Sequence, residues 1–204
     1  MKIFVVLALF VLWFIGCNRE VGYEPRNGDI IFQTSQSPQS VAIQKATKSR
    51  YSHMGIVFVE NGQARVFEAV EPVKTTPLHE WISRGKNEHF VVKRLKRADE
   101  LLTNESLERM KVIGKTKFLN LHYDKYFQWS DERIYCSELV WKVFKEAVGV
   151  EIGKLGTLGG FDLSDPVVQK LMFERFGGPV PEGEPVIAPV TMYESELLET
   201  VYEN

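Results

Sequence analysis

Cysteine is scarce in this chain: Cys17 and Cys136 are the only two among 204 residues. No paired-ligand spacing of the kind a structural zinc site uses can be built from them. Surplus charge is missing as well. A formal net charge of −2 does not supply the positive field that phosphate backbones demand, so nucleic acid is not an expected partner. The sequence contains no G-x-S-x-G, H-E-x-x-H, P-loop or G-x-G-x-x-G, which leaves serine hydrolases, zincins and nucleotide enzymes without a foothold. No cofactor and no metal is expected. Internal repeats and long low-complexity tracts are also absent. What is present, 44% hydrophobic and 25% charged residues, reads as one globular domain with a real core.

The longest apolar run is Ile3 to Ile15, short of the roughly 20 residues that span a bilayer. With Lys2 before it and the small Gly16 after it, the run fits the h-region of an export signal. Phe14-Ile15-Gly16-Cys17 resembles a bacterial lipoprotein box, which implies cleavage before Cys17 and a lipid on its thiol. A plain signal peptide with an incidental cysteine is the simpler alternative. The expected organisation is a signal over 1–17, a polar tether over 18–26, and a single domain over 27–204. The expected location is exported, held to a bacterial cell-envelope membrane through the N-terminal lipid. Cys136 is then the one free thiol of the mature chain, an unusual choice outside the cytoplasm.

Along the domain, Asn27-Gly28-Asp29 marks a turn and Ile30 to Gln33 a strand. Ser37-Pro38 opens a helix to about Lys48. Tyr51 to Glu60 alternates as a strand, Asn61-Gly62 is a hairpin turn, and Arg65 to Val70 returns. Val73 to Thr76 is extended, Pro77 to Arg84 a short helix, and Phe90 to Leu95 a strand. Helices follow over Thr103–Phe118 and Ser137–Val148, the latter stopped by Gly149. Beyond Gly177-Gly178-Pro179 the chain is partly extended over the surface. Segregated strands and helices favour an α+β fold with an antiparallel sheet.

The apolar stripe of the 137–148 helix, Val140, Val143, Phe144, Ala147 and Val148, places Cys136 one turn ahead on the same side. A thiol at a helix start meets unpaired N–H groups and the positive end of the dipole, which favour a thiolate and can hold an oxyanion. A buried cysteine packing at a helix start is the plain alternative. Independently, an Asn61-Gly62 turn sets Glu60 opposite Gln63, Gly55 opposite Glu68 and His53 opposite Val70. His53 and Glu68 are then diagonal neighbours on one face, about 7–8 Å apart at the backbone, and Gly55 leaves the space between them open. A carboxylate there fixes the tautomer of an imidazole that acts on a nucleophile, whereas the plain reading is a cross-strand pair that stabilises the sheet. His79, His89 and His122 read as surface residues, and Lys93-Arg94, Lys96 and Arg97 as a solvated basic face. Tyr123 is either a core aromatic or a donor to a substrate carbonyl oxygen.

Asn27-Gly28-Asp29-Ile30-Ile31-Phe32, Tyr51-Ser52-His53-Met54-Gly55, Val66-Phe67-Glu68-Ala69-Val70, Tyr123-Asp124 and Tyr135-Cys136-Ser137-Glu138 occur in this order. Together they resemble the YiiX-like proteins, a circularly permuted branch of the NlpC-type papain-like hydrolases, from about Asn27 to Ala188-Pro189. The resemblance implies a nucleophile helix packed on a small antiparallel, barrel-like sheet. It also implies Cys136 as nucleophile, His53 as base, Glu68 as orienting acid and Tyr123 as an active-site residue. Amide hydrolysis through a thioester, in cell-wall or other small peptides, is the expected function. A lipid acyltransferase or thioesterase using the same triad is the first rival, and a non-catalytic binding module the second. Iodoacetamide labelling of Cys136 against pH separates the last case. Reaction below about pH 7 is expected of an enzyme, and ordinary thiol behaviour near 8.5 of a binding module.

Overall fold

Alternation along the apolar strands gives one sheet two covered faces. The computed structural model describes residues 22–204, so the expected export signal, Cys17 and residues 18–21 of the expected tether lie outside the described residues. The chain enters through β1 (Ile30–Ser35) and helix α1 (Ser40–Thr47). It continues through the hairpin β2 (His53–Glu60) and β3 (Gln63–Glu68), then β4 (Lys74–Pro77), helix α2 (Leu78–Ser83) and the long β5 (Gly85–Leu95). Helices α3 (Ala98–Leu101) and α4 (Asn104–Ile113) and short strands β6 (His122–Tyr123) and β7 (Arg133–Ile134) lead to α5 (Cys136–Val148). After β8 (Gly156–Thr157), α6 (Pro166–Phe176), β9 (Pro185–Val186) and α7 (Pro189–Tyr193), the last strand β10 (Leu198–Glu203) returns to the sheet.

Six strands pair antiparallel in the order β10-β5-β1-β2-β3-β4. The sheet is open at β10 and β4 and so only loosely barrel-like, and the expected α+β antiparallel architecture packed against the Cys136 helix holds. Ile30, Phe32, Met54, Ile56, Phe58 and Phe67 face the core that α5 fills with Leu139, Val140, Val143 and Phe144. Ile31, Val57, Val66, Phe90 and Val92 face the other way, onto Trp81 and Ile82 of α2 and onto Tyr23. Tyr23 lies within the segment read as a tether. It is buried, its hydroxyl donates to Asp29 at 2.5 Å, and packing therefore begins there rather than at Asn27.

The hairpin has the expected register, from Glu60 opposite Gln63 to Ile56 opposite Phe67. Asn61 and Gly62 both take positive φ, 51° and 76°, the conformation of a type I′ turn. β3 ends at Glu68, so the pairing expected for Val70 does not form. Helix α1 starts at Ser40, later than Ser37-Pro38 suggests, because Ser37 and Pro38 make a turn in which Ser40 N–H donates to Ser37 C=O at 3.0 Å. The expected single helix over 103–118 is α4, capped by Thr103 accepting from Ser106 N–H at 3.2 Å, followed by one π turn over Gly114–Phe118.

Lys93 and Arg94 are not on a solvated face. β5 lies between β1 and β10, so both its sides are covered. Arg94 donates Nε and Nη2 to Asp29 at 2.6 and 2.9 Å, and Lys93 Nζ donates to the Tyr193 carbonyl. Helix α6 was not anticipated. It carries its own start and stop, with Asp165 accepting from Val167 N–H at 2.9 Å, Pro166 in the first turn and Gly177 at φ 62° after the end.

Gly55 is enclosed. A Cβ built there would lie 2.5 Å from Val66 Cγ1 and 2.8 Å from the Phe67 carbonyl oxygen. Gly55→Ala is expected to cost about 1–3 kcal/mol of stability through overpacking, read by urea denaturation.

Candidate active site

Cys136 is the first residue of α5 and only 3% exposed. Tyr135 before it is extended, with φ −107° and ψ 169°. Its N–H donates to Glu138 Oε2 at 3.4 Å, the reach-back half of a capping box. The start of α5 is also tied to the segment leading into α7. Ser137 Oγ donates to the Ile187 carbonyl at 2.8 Å, and Ile187 N–H donates to the Tyr135 hydroxyl at 3.1 Å. First-turn N–H groups of a helix have no partner within it, so those at Cys136 are available for an oxyanion.

His53 is the first residue of β2 and is buried. By strand alternation it lies with Gly55 and Val57 on the α2 side of the sheet, opposite the side that α5 packs against. Contact with Cys136 is made at the ends of the two elements: the thiol is a hydrogen-bonding neighbour of the ring. His53 Nε2 meets Glu68 Oε2 at 2.6 Å, which leaves Nδ1 for the sulfur. The ring also stacks on Trp81, centroids 5.9 Å apart and planes at 25°. Glu68 is fully buried and receives further donors, Thr76 Oγ1 to Oε1 at 2.6 Å and Arg84 Nη2 to the same oxygen.

Burial works against charge on both groups and is outweighed on both. Interaction with Cys136 and with the Glu68 carboxylate lifts His53 from 6.5 to about 9. His53, Thr76 and Arg84 lower Glu68 from 4.5 to about 2. The arrangement therefore favours an imidazolium held against the Glu68 carboxylate, which sets an acid for a leaving group beside the Cys136 sulfur.

Tyr123 is buried, and burial first, then the charge of Cys136, holds its hydroxyl protonated. The Tyr123 oxygen accepts from Gln39 Nε2 at 2.8 Å, and Gln39 Oε1 accepts from Arg175 Nη2 at 2.6 Å. With its lone pair engaged by Gln39, the hydroxyl proton is directed elsewhere, and Tyr123 lines the cavity that Cys136 lines. The structure thus joins Cys136, His53, Glu68 and Tyr123 in one site, while Cys17 lies outside the described residues. Sequence reading did not find Thr76, Arg84, Trp81, Gln39 or Arg175. His79 and His122 are exposed as expected, though His122 does have a carboxylate partner, Glu71, at 2.5 Å. His89 is half-buried against the C-terminal strand.

Residues 24–202 match the family model described as permuted papain-like amidase enzymes, YaeF/YiiX, C92 family. The chain belongs to this family. It is 44% identical over 179 residues to the protein YiiX of Escherichia coli (strain K12), covering 88% of this chain and 87% of that protein. It is also similar to a crystal structure described as metalloprotein yiiX from Escherichia coli O157:H7, with 43% identity and a TM-score of 0.84, covering 89% of this chain and 99% of the other. As a member of the permuted papain-like amidases, the protein is a thiol hydrolase. Permutation accounts for His53 and Glu68 preceding Cys136 in the chain, since spatial arrangement rather than order carries such chemistry.

The sign of the His53 shift sets the alkaline limit. The imidazolium is lost as pH rises through about 9, so kcat/KM for an amide is expected to fall there, while iodoacetamide alkylation of Cys136 does not fall with it.

Proposed function

We propose that Cys136, His53 and Glu68 form the catalytic triad of an amidase working through a thioester. The observation that carries this reading is His53 bridging a thiol at a helix start and a buried carboxylate 2.6 Å from Nε2. The Cys136 sulfur attacks the substrate carbonyl as a thiolate. The Cys136 N–H and the Tyr123 hydroxyl take the oxyanion. His53 hands its proton to the departing amine, and water activated by the same ring then releases the acid. Glu68 holds the ring's orientation throughout. The substrate is a small amide of the cell envelope, with cell-wall or other small peptides the first candidate class and lipid acyl groups the second. A lipid on Cys17 would keep this chemistry at a membrane surface.

The description of the Escherichia coli O157:H7 relative raises the question of a metal here. Among the described residues no group of three His, Cys, Asp or Glu side chains is placed to hold an ion. The Glu68 oxygens are already engaged by His53, Thr76 and Arg84. The donor set does not fit a metal.

Cys136→Ala is expected to abolish product release from muropeptide amides. His53→Ala is expected to lower kcat by about 10²–10⁴-fold, and Glu68→Gln by less than either. Retention of turnover in His53→Ala would contradict the assigned roles. Fractionation of cells carrying Cys17→Ser is expected to show the protein leaving the membrane fraction.

A further inference from the structure

Cys136 stands on a divide between two unlike spaces. On one side is a narrow cavity of about 70 Å³ that opens to solvent, walled by α1, α6 and the segment before α7; Ala42, Leu158, Val168, Leu171, Met172 and Ile187 give it an apolar surface. The serine and threonine hydroxyls in this wall are already committed. Thr47 Oγ1 donates to Ile43 C=O at 2.7 Å, Ser52 Oγ lies 2.6 Å from Ser40 Oγ, and Ser137 Oγ donates to Ile187 C=O at 2.8 Å. A peptide entering here would leave its amide groups unpaired at a cost, whereas a hydrocarbon would not. The apolar lining is that of a small-molecule site. On the other side is an open cleft lined by Gln33, Gln36, Ser37, Glu71 and Arg84.

The two reacting residues are divided between these spaces. Cys136 lines the cavity and not the cleft; His53 lines the cleft and not the cavity; Tyr123 borders both. A leaving nitrogen must be within reach of the proton on His53, so it departs on the cleft side. The acyl group that stays on sulfur is then left facing the cavity.

Resting on the triad reading above, we propose that the substrate is an N-acyl amide whose acyl group is an apolar chain seated in the cavity under α6 and whose amine is a polar group held in the cleft. Sulfur forms a bond to the acyl carbon, the C–N bond breaks, and the His53 proton goes to the amine. Water then cleaves the thioester, its proton passing to His53 while the sulfur leaves as thiolate, which restores the starting pair. The sum is amide plus water to fatty acid plus amine, with no oxidant or reductant.

The test uses acetyl-, hexanoyl-, decanoyl- and tetradecanoylglycine with the whole protein, measuring released glycine with Cys136→Ala as control. In parallel, the same series is tested for protection of Cys136 against iodoacetamide. Burial of each methylene allows up to about a fourfold gain, so kcat/KM is expected to rise more than about tenfold from acetyl to decanoyl, with protection rising in the same order. Ala46→Phe and Leu171→Trp, which fill the cavity, are expected to shift the preference toward shorter chains, with folding checked by circular dichroism. Cys136-dependent release or protection that is equal across the series, or best for acetyl, overturns the proposal and leaves the triad standing. So does cleavage of muropeptides with no release from any acylglycine. If nothing is cleaved and alkylation of Cys136 is unchanged by His53→Ala, the triad reading itself fails.

Discussion

A carboxylate with no solvent access is the constraint around which this molecule is arranged. Glu68 is fully buried, and a charge in that position is tolerated only when donors replace the water it has lost. Three converge on it: His53 along β2, Thr76 from β4 and Arg84 from the end of α2. Each comes from a different element, so the charge ties the hairpin, the next strand and the following helix together. Trp81 closes the remaining face by stacking on the imidazole. The ring is thereby fixed in plane and in tautomer before any substrate arrives.

The nucleophile is fixed by a separate set of contacts. Tyr135, Ser137 and Glu138 anchor the start of α5, and Ile187 bonds to two of them. Most of α5 packs on the face of the sheet opposite the one that carries His53. The two groups can meet because each stands at the first position of its element, where neither the strand nor the helix interposes backbone. Tyr123 is drawn into the same place by Gln39 and Arg175, which gives the hydroxyl one orientation rather than a rotor.

Much of this was legible in the sequence, for reasons that can be stated residue by residue. Asn61-Gly62 fixes a turn, a turn fixes a register, and a register places His53 beside Glu68. Val140, Val143 and Phe144 show which side of α5 is inward and hence where the thiol lies. Thr76 was within reach of the same diagonal logic, since β3 and β4 pair Val66 with Thr76 and Glu68 with Lys74, but an extended segment without a turn signal does not declare its partner. Arg84, Gln39 and Arg175 come from three distant stretches and are assembled only by tertiary packing. Helix α6 is different in kind: Asp165-Pro166 and Gly177 are ordinary start and stop signals that went unread beside a Pro-rich and Gly-rich tail. Lys93 and Arg94 looked like surface charge because nothing local announces that β5 has neighbours on both sides.

The outermost strands of the sheet have a bearing on how this protein behaves in concentrated solution. β4 is only four residues long and ends in Pro77. β10 pairs with β5 through a register shift that leaves Val201 without a partner between Thr200 and Tyr202, and it carries Glu199 and Glu203. Short length, proline, a bulge and like charges all make a strand a poor template for another chain. Removing β10 would bare the β5 edge beside Val91 and Val92, converting a self-limited sheet into one open to self-association.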